Sequence, residues 1–152
     1  MKEPVAIHNA LQVHRPAVGG MAGVGLYRLL RLVALEDVLG TGASAITYYA
    51  GKKLGMDLGL KQIDDFLALC EQLRIGQVSV PVMTREHIHV DVHECVTCAG
   101  LTPVGRALCH FEGGLIAGVV EGIVGQHVQA REVTCMGGFG DEACGFELLI
   151  GN

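Results

Sequence analysis

Cys135 and Cys144 bracket the segment Met-Gly-Gly-Phe-Gly-Asp-Glu-Ala, which has enough glycine to fold back and turn both thiols toward one point. Thiolates brought together this way suit zinc, which takes four ligands tetrahedrally at about 2.0–2.3 Å and accepts a carboxylate as one of them. Glu132 stands three residues before Cys135. On a regular strand that offset sends the two side chains to opposite faces. Both reach one ion only where the strand bends or ends between them, and Gly137 and Gly138 place an ending there. Spacing does not fix the remaining ligands. Cys109, in Cys-His-Phe-Glu-Gly-Gly, is one candidate. The pair Cys95-Val-Thr-Cys98 is another, able to complete an all-cysteine zinc site or an iron–sulfur site. It also reads as a redox pair or as two free thiols in a turn. Cys70, on the apolar side of a helical segment, reads as a small buried hydrophobe.

Other polar groups carry weaker chemistry. His87, His89, Asp91 and His93 alternate with Ile88, Val90 and Val92, the pattern of the solvated side of a half-buried strand; alternate histidines are also metal ligands. Asp64-Asp65 and Asp141-Glu142 read as solvated pairs. His110 and Glu112 flank Cys109 without completing a nucleophile, base and orienter. Gly19-Gly20 to Gly25 follows no strand, which argues against a nucleotide loop.

The elements that must position these groups follow from periodicity. Residues 1–18 carry Pro4 and Pro16 and read as an arm with a short strand near Val5 to Ile7. Met21, Val24, Tyr27, Leu30 and Val33 recur at helical spacing up to a stop at Gly40. A second helix is expected from Thr41 to Leu54, capped by Thr41 and ended by Gly55, and a third from Leu60 to Leu73. The period then becomes two: a strand over 77–82, limited to an edge or an end by Pro81, and a hairpin partner over 85–96. Residues 107–124 form an apolar helix whose Gly113, Gly114, Gly118 and Gly122 permit close backbone approach. Strands follow over 126–135 and 144–150. Helices first and strands later indicate an α+β fold, with N-terminal helices packed on an antiparallel sheet and residues 19–152 forming one domain.

Composition narrows the partners. Half of the 152 residues are hydrophobic and 18% are charged, so disorder is excluded. Mean hydropathy is +0.41, yet the longest apolar stretch, 19–35, is interrupted by Arg28 and Arg31, so no membrane span is expected. The surplus apolar content implies a large core, an internal pocket or a buried dimer interface. A formal net charge of -5 argues against direct nucleic-acid binding. No signal peptide is visible; a cytoplasmic setting follows, in which six cysteines stay free or metal-bound.

Three segments together resemble the 4-vinyl reductase domain family: Cys109-His-Phe-Glu-Gly-Gly-Leu-Ile-Ala-Gly, Arg131-Glu-Val-Thr-Cys and Gly140-Asp-Glu-Ala-Cys-Gly-Phe. Val38-Leu-Gly-Thr-Gly-Ala-Ser-Ala-Ile-Thr-Tyr-Tyr-Ala-Gly is similar to that family's helical half. The resemblance implies a fold shared with the sensor domains of phenol- and toluene-responsive activators, with Golgi transport-particle subunits and with haem-type nitric oxide sensors. It implies a structural zinc held by Cys109, Glu132, Cys135 and Cys144, although the last gap is one residue longer here. Cys95 and Cys98 are similar to the extra pair of small stand-alone archaeal-type members. The functional expectation is a zinc-stabilised, homodimeric binding or sensor domain for a small hydrophobic molecule: aromatic, hydrocarbon or lipid-like. The alternatives are a reductase or carrier for a tetrapyrrole-type substrate, and an assembly subunit without ligand. No flavin or nicotinamide motif supports the reductase name, and the haem branch lacks an identifiable axial histidine. Helices two and three, with Ile88, Val90 and Val92, are the expected pocket walls.

Overall fold

The computed structural model describes residues 3–151. A four-residue helix, α1 (Ile7–Ala10), stands where a short strand was expected. The chain then runs through α2 (Val24–Arg28), a π-helical stretch (Leu29–Ala34) and α3 (Leu35–Leu39) as one continuous helix. It stops at Gly40, whose φ of 61° is open to glycine. A 3-10 turn (Gly40–Gly42) leads into α4 (Ala43–Asp57), and α5 (Ile63–Gln72) follows. Thr41 lies in that turn and does not cap α4, whose first turn opens from Gly42.

The strands β1 (Gln77–Met83), β2 (His87–His93), β3 (Val128–Thr134) and β4 (Cys144–Ile150) form one antiparallel sheet in the order β1-β2-β4-β3. β1 is an edge, as Pro81 requires, and its register against β2 slips between Ser79 and Val82, beside that proline. Between β2 and β3 the chain forms α6 (His110–Val124); a one-turn helix α7 (Met136–Phe139) joins β3 to β4. The architecture is α+β, with helices layered on one sheet, as expected.

α6 is the centre of the molecule. Every residue from Glu112 to Val120 is buried, because the helix lies between the sheet and α4 and has little solvated face left. The contact with α4 is backbone against backbone. A Cβ on Gly114 would sit 2.0 Å from the Tyr48 carbonyl oxygen, and one on Gly118 2.0 Å from that of Lys52. Gly51 and Gly55 answer from α4, where a Cβ would lie 2.2 Å from Phe111 O and 2.4 Å from Leu115 O. Gly55 is therefore a contact residue inside α4, which runs on to Asp57. On the other side, Val90, Val92, Phe146 and Leu148 of β2 and β4 join Val119 and Val120 in the buried core.

The α2–α3 helix inverts the usual amphipathic arrangement. It turns Tyr27, Arg28, Arg31 and Glu36 inward, Arg31 being only 4% exposed. Val24, Leu26, Leu29, Leu30, Val33 and Val38 face outward, Leu26 at 66% and Val38 at 80% exposure. No helix among the described residues is long and apolar enough to cross a membrane.

Candidate metal centre

Five cysteines converge beneath the N-terminus of α6. Cys95 and Cys98 lie on a tight turn after β2, closed by the Ala99 N–H donating to Cys95 O at 2.9 Å. Cys109 immediately precedes α6, Cys135 precedes α7, and Cys144 opens β4. All five have no solvent exposure. Their sulfurs stand 3.6 Å apart for Cys95–Cys109, 3.4 Å for Cys98–Cys109, 3.3 Å for Cys98–Cys144, 3.6 Å for Cys109–Cys144 and 3.9 Å for Cys98–Cys135. A tetrahedron of thiolates around zinc at about 2.3 Å has edges of about 3.8 Å, so these spacings are those of a ligand set. All six cysteines are free thiols.

Glu132 joins the cluster through the break that its offset demands. Glu132 pairs with Phe146 of β4 and Thr134 with the next residue, Gly145. Val133 is therefore a bulge that lets Glu132 and Cys135 turn to the same side. One oxygen, Oε2, accepts the Cys109 N–H at 3.0 Å. The other, Oε1, is buried without a partner, which is the position of a ligand oxygen awaiting a cation. Cys109, Glu132, Cys135 and Cys144 place one donor atom each within 4.8 Å of one another, and so do Cys95, Cys98, Cys109 and Cys144. The donor set thus fits zinc, and the structure adds Cys95 and Cys98 to the neighbourhood of the other four. No histidine belongs to either group among the described residues; His89 Nε2 instead meets Asp91 Oδ1 at 2.8 Å.

Local structure locks the cluster. Asp141 Oδ2 accepts the Cys135 N–H at 2.8 Å, a role hidden from the sequence, where Asp141 reads as solvated. The Met136 N–H donates to Cys144 Sγ at 3.4 Å, as amides do around metal thiolates. A Cβ on Gly137 would lie 2.6 Å from Cys98 Cβ, and one on Gly138 2.2 Å from Arg106 O, so the turn between the ligands tolerates no side chain at either position.

The electrostatics also favour a cation. Hydrogen bonding from Cys109 holds the Cys98 thiol down to about 4 and that of Cys135 to about 6, while the same contacts, led by Cys135, raise Cys109. Burial, followed by the Cys135 contact, pushes the Glu132 carboxyl up to about 9. Without metal the cluster shares protons among its donors; a bound ion displaces them. Cys70, apart from the cluster, is raised to about 12 by burial alone and is core, as expected.

A second buried polar group adjoins the first. Glu112 Oε1 accepts hydrogen bonds from Tyr27 Oη at 3.1 Å and from Thr97 Oγ1. Burial raises the Glu112 carboxyl; burial and then the charge of Glu112 raise the Tyr27 hydroxyl, which stays a donor. Arg28 donates to Val96 O at 2.9 Å and Ala99 O at 2.8 Å, and Arg31 to Leu108 O at 3.1 Å. The inward face of the α2–α3 helix thus grips the loops that present Cys95, Cys98 and Cys109. Only Glu112 of this network drew attention in the sequence; the bonds of Tyr27, Arg28, Arg31 and Thr97 span 68 to 85 residues and leave no local signal.

Away from the cysteines, a cavity of about 360 Å³ opens between α5, α6 and the β1–β2 turn. Ile63, Met83, Ile88, Val120, Ile123, Val124 and Ile150 line it, with Thr84, Arg85 and Gln126 as its polar groups. Of the expected wall residues Ile88 lines the cavity, whereas Val90 and Val92 are filled core.

The family model of the vinyl-4-reductase domain matches residues 88–150. The chain is 30% identical to the Methanocaldococcus jannaschii protein MJ0150 over 152 residues, covering 95% of this chain and 86% of that one. The fold is similar to a vinyl-4-reductase family protein of the same organism, with a TM-score of 0.70 at 18% identity, covering 89% of this chain and 85% of that one. It is similar to the phenol-responsive sensory domain of the transcription activator PoxR, solved with phenol (TM-score 0.64, 16% identity, 85% and 75% covered). It is similar as well to a trafficking protein particle complex subunit 3 from Naegleria fowleri, covalently bound to palmitic acid (TM-score 0.61, 14% identity, 85% and 95% covered). The chain therefore belongs to the vinyl-4-reductase domain family.

Proposed function

We propose that this chain is a zinc-clasped binding domain for a small molecule with an apolar body. The observation that carries the reading is the cavity at the α5–α6 end of the sheet. Its volume lies within the range of roughly 300–1,000 Å³ usual for small-molecule sites. Seven apolar side chains form its walls, and its polar groups include Thr84 and Arg85, both exposed at one end. A ligand with a hydrophobic body and one polar or anionic end fits that distribution. Relatives of the same fold that were solved with phenol or with palmitic acid support this class of ligand.

The metal in this reading is structural. Cys109, Glu132, Cys135 and Cys144 hold zinc through four protein ligands, which leaves no open position for a substrate. What zinc supplies is cross-linking: it joins the N-terminus of α6 to the β3–α7–β4 turn. The exposed apolar face of the α2–α3 helix favours a homodimer built on that face, because an exposed apolar surface of this extent marks an interaction site. A reducing cytoplasmic setting accords with six free cysteines, and the charge of -5 with no direct nucleic-acid contact. Native mass spectrometry of the purified chain, followed by denaturing extraction, should reveal a retained apolar compound. Ile123→Phe, which fills the cavity, should abolish that retention while the metal content stays unchanged. Retention unaffected by this substitution would place the ligand elsewhere.

A further inference from the structure

The cysteine cluster has more donors than one ion can use. A single tetrahedral ion takes four ligands, and six are gathered here, five of them thiols without solvent exposure. Occupancy of Cys109, Glu132, Cys135 and Cys144 leaves Cys95 and Cys98 buried beside the ion with nothing to bind. Occupancy of Cys95, Cys98, Cys109 and Cys144 leaves Cys135 and the partnerless Oε1 of Glu132. Charge points the same way. With all six donors ionised, one divalent ion leaves four negative charges in a site shut off from water. The nearest cations, Arg28 and Arg31, are turned onto the carbonyls of Val96, Ala99 and Leu108.

The two four-donor groups share two members, Cys109 and Cys144. Their sulfurs are 3.6 Å apart, close to the tetrahedral edge of about 3.8 Å that two zinc ions would hold in common. We infer that the cluster is a second metal site fused to the first: two tetrahedral thiophilic divalent ions bridged by the thiolates of Cys109 and Cys144. Cys95 and Cys98 complete one ion, Glu132 and Cys135 the other. All six donors are then used and the excess charge falls to two. Cys98 and Cys135, now 3.9 Å apart, become ligands of different ions and separate on loading. The inference rests on the metal-clasped reading above and extends it. The second ion ties in the turn gripped by Arg28, so that the α2–α3 helix with its apolar face is anchored to the same centre.

The test is anaerobic reconstitution of the metal-depleted full chain with cobalt(II), read by visible absorption and magnetic susceptibility, beside elemental analysis of the protein as purified. Two ions per chain are expected, with the two cobalt spins coupled through the bridging thiolates. Cys95→Ser/Cys98→Ser and Glu132→Gln/Cys135→Ser should each reduce the count to one and remove the coupling. The wild-type count decides the question even if a variant fails to fold. Saturation at one ion per chain overturns the second site and leaves the zinc clasp standing. Two uncoupled ions overturn the bridge. Iron with acid-labile sulfide overturns it in favour of an iron–sulfur cluster. A folded chain that binds no metal overturns both this inference and the clasp.

Discussion

Gly118→Ala should destabilise the protein although alanine is the better helix former. The new Cβ would lie 2.0 Å from the carbonyl oxygen of Lys52, 2.8 Å from its carbonyl carbon and 3.0 Å from its Cα, where ordinary contact begins at 3.4 Å. The obstacle is the backbone of α4, so relief requires the α4–α6 crossing to open by about 1.4 Å. Opening at Gly118 also loosens the contacts at Gly51, Gly55 and Gly114 on the same line. Overpacking of this kind costs typically 1–3 kcal/mol, and a rigid backbone obstacle places it at the upper end. The gain in helix propensity is about 1 kcal/mol, which leaves a net loss of about 2 kcal/mol. For a domain of this length that lowers Tm by about 4–8 °C. Gly122→Ala in the same helix is the control: nothing lies within 4 Å of its Cβ, so it should gain up to about 1 kcal/mol. Thermal and urea unfolding of the two variants should move in opposite directions. A Gly118→Ala protein as stable as wild type would show that no backbone contact is made there.

Other substitutions probe the clasp, the buried network and the apolar face. Asp141→Ala removes the acceptor for the Cys135 N–H and should cost about 1 kcal/mol, as loss of a comparable cap does, with faster zinc release to a chromogenic chelator. Glu112 is raised above its ordinary 4.5, chiefly by burial. A carboxyl raised in the folded state contributes stability that is complete below its unfolded value and is lost as pH rises through its folded one. Urea midpoints of wild type should therefore fall relative to those of Glu112→Gln as pH increases above 4.5; a constant difference would exclude ionisation of Glu112 as the cause. Leu30→Glu with Val33→Glu charges the exposed face of the α2–α3 helix and should shift sedimentation from dimer to monomer without loss of metal.

The sequence carried local information well. The α+β order, the edge strand at Pro81, the α5 face of Phe66 and Cys70, and the close approach permitted by α6 glycines are all present in the fold. The requirement that β3 break between Glu132 and Cys135 is met by the bulge at Val133. Features that depend on which side of an element faces inward were not legible. Periodicity groups Val24, Leu30 and Val33 on one face of a helix but does not say that this face points to solvent while Arg28 and Arg31 point in. Gly55 has the chemistry of a helix stop and the place of a helix contact, because α6 lies against it. Cys95 and Cys98 joined the other donors through a turn whose position only the assembled sheet defines. The cavity has the same residue types as the core, so Ile88 could not be told from Val90 before packing was known.

A metal bound by these cysteines and Glu132 should hold the domain together beside its cavity. Metal content, Tm and hydrogen exchange of one preparation, compared before and after chelation under reducing conditions, decide whether it does. Zinc is expected in the purified chain. On its removal Tm should fall and backbone protection should be lost over β3, α7 and the start of β4, with the turn carrying Cys95 and Cys98. A metal-free chain with an unchanged Tm and unchanged protection in those segments would contradict a metal clasp.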